Sequence, residues 1–373
     1  MKKRIKLFDP HYGKAEEKAI LKVLKSGYWT SGSGLGNVEY FEKDVKKYIK
    51  SKDCIAVNSG TAALNLALSL IDIKNKEVIL PSLSFVSTAH AVIINGGIPV
   101  FVDIKPETMC IDPNEIEKSI TAKTAAILPV HFGGFPCNLK DIQNIAEKHN
   151  LAIIEDAAHA AGATYNNKKI GSHGMSVCFS FHPVKNLAMP TGGLISINHK
   201  NHKQFRKMLL ARRWCGITDR KGSEYNVEEL GWNYYMNEFS AVIGLAQLKK
   251  LDRLNNIRKN IAKFYDKQID VEHKTTFNKD CSYHLYWILV KNRKKFREKM
   301  CQVGIETGTH YRPIHTMKMY QNHTVLSNTE KIGKQIVTIP IHPNLKNFEM
   351  DKMLYLESKR NRHLAAPPLR KMR

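Results

Sequence analysis

The sequence lacks a long hydrophobic run. No apolar stretch approaches the roughly 18–20 residues that cross a bilayer, so no transmembrane segment is expected. The opening MKKRIKLFDP is basic but has neither the apolar stretch nor the small-residue cleavage site of a secretory signal. The seven cysteines form no CxxC pair and no ligand-like spacing, which argues against a disulfide framework and a structural zinc and fits a reducing cytoplasm. Internal repeats and nucleic-acid-binding motifs are absent. GSGLG, from Gly32 to Gly36, superficially matches a dinucleotide loop, but no strand precedes it and a turn is expected instead.

Acidic side chains are scarce beside basic ones: 34 Asp and Glu face 58 Lys and Arg, a formal net charge of +24. Such an excess favours association with polyanions through counterion release. Here the basic residues are spread along helical patterns such as Arg253 to Lys267, so nucleic acid is not the expected partner. General solvation, or attraction of an anionic substrate such as a diphosphate, accounts for the charge as well.

What is present is an ordinary globular composition, 43% hydrophobic and 25% charged over 373 residues, enough for a large core. The first half alternates short β-branched runs with helical patterns. Strands are expected at Cys54–Val57, Glu77–Leu80, Pro99–Val102, Ala125–Val130, Leu151–Ile154 and Ser176–Phe181. Helices are expected at Thr61–Leu70, Val86–Asn95 and Leu139–His149. That alternation implies an α/β fold with a mainly parallel sheet, binding ligands at the carboxyl ends of its strands. Asn58, Ser84, Asp156 and Lys185 all follow strand candidates closely and are expected on one rim. A basic helix at His202–Arg213 and a polar segment at Gly216–Glu229 follow. A long helical pattern from Asn237 to Asp266 then leads to a strand at Tyr283–Val290 and a helix at Lys294–Gln302. The expected division is a large domain over 1–250, a smaller C-terminal α+β domain over 251–357, and a flexible basic tail over 358–373.

The most informative stretch is IIEDAAHAAGA from Ile153, FSFHPVKN from Phe179, and PTGG ending at Gly193. Asp156 ends an apolar run and needs a cationic partner if buried. Lys185 lies in a turn just beyond a strand. A carboxylate that keeps a pyridine nitrogen protonated and a lysine that forms a Schiff base are the pair used by pyridoxal phosphate (PLP). By residue type alone, a solvated strand-end aspartate and a surface lysine are the more common case.

The order of motifs decides between these readings. SGTAAL at Ser59, PSLSFVSTAHAV at Pro81, GGIPVFVDI at Gly96, EDAAHAAGA at Glu155, FSFHPVKN, GWNYYMNEFSAVIGLAQL at Gly231 and GIETGTHYRPIH at Gly304 together resemble the DegT/StrS family of PLP-dependent sugar aminotransferases. The resemblance runs from about Tyr28 to His342. It implies an aspartate-aminotransferase-like (fold type I) large domain with a mainly parallel seven-stranded sheet. It also implies transamination of a nucleotide-linked keto-sugar with L-glutamate as donor. Lys185 and Asp156 are the catalytic residues it implies. Gly60, Thr61 and Ser180 match phosphate-binding positions, Phe85 an aromatic against the pyridine face, and His159 a contact to the cofactor's phenolic oxygen. Asn233 matches an asparagine that reaches into the neighbouring subunit's site, which implies a homodimer with shared sites. His310 and Tyr311 fall where the family contacts substrate; a metal at the His310–His315 pair is not expected.

Departures from the pattern concern anchoring of the substrate. Thr191 stands where Glu is common before the Gly pair, Tyr234–Tyr235 replaces YR, and His90 replaces a frequent Asn. Amination of another cyclic ketone, dehydration of a sugar and a non-catalytic PLP-binding regulatory role are the alternatives. Dehydratase relatives carry histidine in place of Lys185, which favours transamination.

Overall fold

The alternating apolar runs form one sheet. In the computed structural model, residues 4–358 other than 33, 272, 322 and 323 are described. The expected basic tail falls outside them from residue 359 onward. The chain opens with α1 (Lys14–Ser26) and α2 (Asn37–Ile49). The parallel part follows as β1 (Asp53–Val57), α3 (Gly60–Leu68), β2 (Glu77–Pro81), α4 (Ser87–Ile94), β3 (Ile98–Val102), α5 (Pro113–Lys118), β4 (Thr124–Ile127), α6 (Leu139–Lys148) and β5 (Ala152–Asp156). A short ribbon, β6 (Thr164–Tyr165) with β7 (Lys168–Lys169), precedes β8 (Ser176–Ser180) and β9 (Gly193–Ile197).

The seven-stranded sheet has the order β1-β9-β8-β5-β4-β2-β3. The four pairs from β8 through β5, β4 and β2 to β3 are parallel, whereas β9 runs antiparallel to both β1 and β8. The sequence pattern did not mark β9 as a strand. Its direction follows from its connection: residues 181–192 link β8 to its neighbour β9 without a crossover helix, and adjacent strands joined that way run antiparallel. Lys185 sits in that loop.

Strand periodicity divides the interior into two cores. Cys54, Ala56 and Ile79 face one, with Phe41 and Val45 of α2 and Ile142 of α6. Ile55, Val57, Val78 and Leu80 face the other, with Leu64 and Leu66 of α3 and Val92 of α4. Successive strand side chains point to opposite faces, so a sheet covered on both sides reads as continuous apolar sequence.

Beyond β9 come α7 (His202–Arg213) and the ribbon β10 (Ile217–Lys221) with β11 (Glu224–Val227). The ribbon forms within the polar segment; most of its side chains are exposed, so it carries no alternating apolar pattern. The long helical pattern expected from Asn237 divides into α8 (Glu238–Leu248) and α9 (Leu251–Gln268). The break falls at Lys250, whose backbone leaves the helical course with φ −113° and ψ 1°; its ammonium pairs with Glu16 of α1 at 2.6 Å. An antiparallel pair, β12 (Tyr286–Leu289) with β13 (Ile336–Ile339), is accompanied by α10 (Arg293–Gln302), α11 (Ser327–Gln335) and α12 (Asn347–Ser358).

A buried carboxylate fastens α2 and α7 to β1. Glu42 Oε1 accepts from the Ala56 N–H and from Arg213 Nη1, both at 2.8 Å, and Oε2 accepts from Arg206 Nη2 at 3.1 Å. Arg213 is 1% exposed and also donates to the Ala56 carbonyl. Removing one member of such a buried network costs about 3–5 kcal/mol. Glu42→Ala should therefore lower unfolding stability by about that amount, measured by urea denaturation of cofactor-free protein. A loss within about 0.5 kcal/mol, typical of a surface change, would contradict the role given to the network.

Candidate active site

The site is built where strands end. After β1, the Ser59 hydroxyl caps α3 by accepting from the Ala62 N–H at 3.1 Å. Gly60 then starts the helix so close to the end of β8 that a Cβ on it would lie 2.7 Å from Ser180 Cβ. Gly193 is held as tightly: a Cβ there would meet the Ser59 carbonyl oxygen at 2.3 Å. Only glycine fits either position. The Thr61 and Ser87 hydroxyls pair at 2.7 Å, tying the start of α3 to the start of α4. The outcome is a helix N-terminus whose amides and dipole are surrounded by hydroxyls, an environment suited to a phosphate.

Asp156 closes β5 and is 4% exposed. Its Oδ1 accepts from the Ala158 N–H at 3.1 Å and its Oδ2 from the Thr88 hydroxyl at 2.8 Å. Thr88 is in turn 2.7 Å from the Ser84 hydroxyl one turn earlier. Burial pushes the Asp156 carboxyl upward, while the Ala158 amide, the Thr88 hydroxyl and the Lys185 charge hold it down. Lys185 shows the converse balance. Burial brings its ammonium down to about 8, and the Asp156 carboxylate opposes that fall.

A cavity of about 340 Å³ joins these groups. Gly60, Thr61 and Ser180 form one part of its wall, Asp156 and Lys185 another, and Phe85, His159, His310 and Tyr311 a third. Phe85 is 56% exposed, with its ring centroid 6.1 Å from that of Tyr311. His159 Nε2 lies 3.0 Å from Tyr311 Oη, and His310 Nδ1 lies 2.7 Å from Thr338 Oγ1. The imidazoles are disfavoured as cations: burial takes His159 well below its ordinary value and His310 to about 4, with the Lys185 charge adding to both.

Nine of the ten residues singled out from the sequence thus share one cavity. Asn233 does not: it is exposed and absent from the wall, although its carbonyl accepts from Asn58 Nδ2 at 3.2 Å. Thr191 lines the cavity and donates its hydroxyl to the Asn58 carbonyl. Tyr235 packs edge-on against Trp214, and His90 bonds to Tyr320. His315 Nδ1 meets the Ser82 hydroxyl at 2.6 Å. Sequence reasoning missed Thr88, Ser87 and His182, all in the wall. Thr88 stands four residues after Ser84, and that one-turn spacing was the available signal.

The contents fit PLP. The glycine cradle at Gly60 matches a phosphate, the buried carboxylate matches a ring N–H⁺, and the cavity is within the range of small-molecule sites. Comparison with known proteins agrees. Residues 10–355 match the DegT/DnrJ/EryC1/StrS aminotransferase family. A protein of Methanocaldococcus jannaschii is 34% identical over 365 residues, covering 92% of this chain and 94% of its own. Among solved structures, Helicobacter pylori PseC, an aminotransferase involved in pseudoaminic acid biosynthesis, superposes with a TM-score of 0.89 at 29% identity, over 96% of this chain and 99% of its own. DesV of S. venezuelae, solved with a ketimine intermediate, gives 0.86 at 29% identity, over 94% and 95%. The chain belongs to the DegT/DnrJ/EryC1/StrS family and is a PLP-dependent aminotransferase of fold type I.

The depressed lysine has a kinetic consequence. Only a neutral amine attacks an aldehyde, so the rate at which cofactor-free protein takes up PLP should rise with pH and level off above about 8. Asp156→Asn removes the charge that opposes the fall, so the midpoint should move lower. Stopped-flow absorbance across the pH range measures both. A midpoint near the ordinary lysine value of about 10.4 would contradict the effect of burial.

Proposed function

We propose that this family member transfers the amino group of L-glutamate to the ketone of a nucleotide-linked sugar. The observation that carries the reading is the pairing of Asp156 and Lys185 in one cavity, a buried carboxylate facing an amine brought down to about 8. Bound there, PLP supplies an electron sink for the charge that develops at the donor's α-carbon. The residues do the rest. Asp156 would hold a proton on the ring nitrogen. Gly60, Thr61 and Ser180 would anchor the phosphate, and Phe85 would pack against the ring. Lys185, as a free amine, would take the proton from the donor's α-carbon and return it. Its lowered affinity for a proton suits it to act as base near neutral pH.

The charge of +24 suits a substrate bearing a diphosphate, since a basic surface raises the local concentration of anions. Lysine rather than histidine at position 185 favours transamination over dehydration. Among the described residues no helix is long and apolar enough to cross a membrane; we place the reaction in the cytoplasm, within amino-sugar and polysaccharide biosynthesis. We read 1–250 as the cofactor-binding domain and 251–357 as a smaller one. The working unit in this reading is a homodimer. Exposed apolar side chains on and beside α1 and α2, among them Leu21, Leu24, Trp29 and Tyr40, offer a surface for a second copy. The exposed Asn233 is then free to complete the neighbour's phosphate site.

Loading with PLP should give a visible absorbance band that glutamate bleaches, and a panel of nucleotide-linked keto-sugars should restore the band with release of an amino sugar. Bleaching by glutamate with no turnover of any keto-sugar would move the acceptor to another cyclic ketone. A band that no amino donor bleaches would overturn the enzymatic reading.

The shared site makes a separate claim. Lys185→Ala and Asn233→Ala chains, each impaired alone, should regain activity when mixed under subunit exchange. One site of each heterodimer then draws its lysine and its asparagine from wild-type positions. Exchange shown by native mass spectrometry without recovered activity would count against composite sites.

A further inference from the structure

We propose that one water molecule is a fixed part of the fold, bound behind Lys185 by Arg258, Asn186 and His342, and that it joins the lysine loop to the C-terminal part of the chain. The site is independent of what fills the larger cavity.

Lys185 borders two cavities. The second has a volume of about 10 Å³ and lies between residues 7–11, the loop that holds Lys185, α9 and residues 341–343. Arg258 of α9 lines it and is 7% exposed. Burial brings its guanidinium down to about 9, which leaves it charged at neutral pH. A buried cation ordinarily has an anionic partner. Among the described residues Arg258 has neither an ion pair nor a hydrogen bond, and its Nη1 is sealed in the interior. The carboxylate in the same wall, Asp9, is engaged elsewhere: it accepts from Lys6 at 2.8 Å and from Asn344 Nδ2 at 2.7 Å.

Two more atoms of residues in that wall are buried without a partner among the described residues, Asn186 Oδ1 and His342 Nδ1. The orientation of the Asn186 amide is fixed. Its Nδ2 donates to the Ser282 carbonyl at 2.8 Å and to Asn255 Oδ1 at 2.9 Å, while Asn255 Nδ2 donates to the Ala161 carbonyl at 2.9 Å. Turned over, the Asn186 amide would set its oxygen against two acceptors. The tautomer of His342 is fixed as well. Its Nε2 lies 3.0 Å from the Lys6 carbonyl oxygen, which only accepts, so Nε2 carries the proton. Burial disfavours the imidazolium, and Nδ1 is left as a bare acceptor.

The wall thus offers one unmatched donor and two unmatched acceptors. Water is complementary to that set: its oxygen accepts from Arg258 Nη1, and its two hydrogens go to Asn186 Oδ1 and His342 Nδ1. A halide or a carboxylate would meet two lone pairs, and an ammonium ion would meet the guanidinium. Size gives the same answer, because about 10 Å³ is the room that one water needs. Asn186 directly follows Lys185, whereas Arg258 and His342 belong to the part that we read as the smaller domain. One water therefore ties the loop of Lys185 to α9 and to the segment after β13.

Crystals of wild-type protein grown with bromide in place of chloride test the site directly. A single density peak is expected within about 2.6–3.2 Å of Arg258 Nη1, Asn186 Oδ1 and His342 Nδ1, with no anomalous signal at the bromine edge. An anomalous signal there would make it a halide site and overturn the assignment. So would the absence of a peak, or a peak that reaches fewer than all three atoms. In solution, Arg258→Met and His342→Phe should each weaken folding. The double variant should weaken it by less than the product of the two effects, because either change alone already releases the water. Urea unfolding equilibria should show that coupling as a factor of about three or more, and a smaller coupling would contradict a shared water. The crystal measurement decides the question even where Arg258→Met fails to fold.

Discussion

A carboxylate and an amine that line the same cavity pull each other's proton affinities in ways neither would show in water. Asp156 is buried at the end of β5, and Lys185 is half-buried in the loop that turns β8 back into β9. Burial alone favours the neutral form of both; each one's charge moderates the other's shift. The lysine ends near 8, within reach of its neutral, nucleophilic form, and the carboxylate stays available to a cationic ring nitrogen. Much of the surrounding structure keeps that balance intact.

Three kinds of support maintain it. A hydroxyl holds the carboxylate: Thr88 in the first turn of α4, itself paired with Ser84, together with the Ala158 amide two residues beyond β5. Neutral imidazoles at His159 and His310 fill the space near Lys185 with hydrogen-bonding capacity but no competing charge. Close approach of backbones, possible only with Gly60 and Gly193, brings the start of α3 against the ends of β8 and β9. Behind these, Glu42 joins α2 and α7 to β1, the strand that leads into the cradle.

The β1, β2, β3, β4, β5 and β8 strands were legible because a sheet buried on both faces leaves short, continuous apolar runs, and helices α3, α4 and α6 were legible between them, whereas α5 was not. Asp156 and Lys185 stood out as a lone carboxylate and a lone lysine beside such runs, and the ordered motifs around them carried the rest of the site. Thr88 and Ser87 were not legible as site residues. Hydroxyl side chains at a helix start usually cap or solvate, and the one-turn spacing of Ser84 and Thr88 does not say that one faces a carboxylate sixty-eight residues away. The β10–β11 ribbon was invisible for a different reason, having no buried face to impose a period of two.

Local sequence determined most of the element types in the first half, the glycines that permit the phosphate cradle, and the identity of the two groups that define the chemistry, because these depend on residue type and short-range spacing. The tertiary structure decided what depends on distance across the chain. It turned β9 antiparallel, since a loop without a crossover helix cannot return a strand in the same direction. It divided the helical pattern after Asn237 at Lys250, which pairs with Glu16 of the distant α1. It set the single proton of the neutral His159 imidazole on Nε2, toward Tyr311, because the Gly133 N–H donates to Nδ1. A tautomer is chosen by partners that sequence separation conceals, and only the folded chain brings them together.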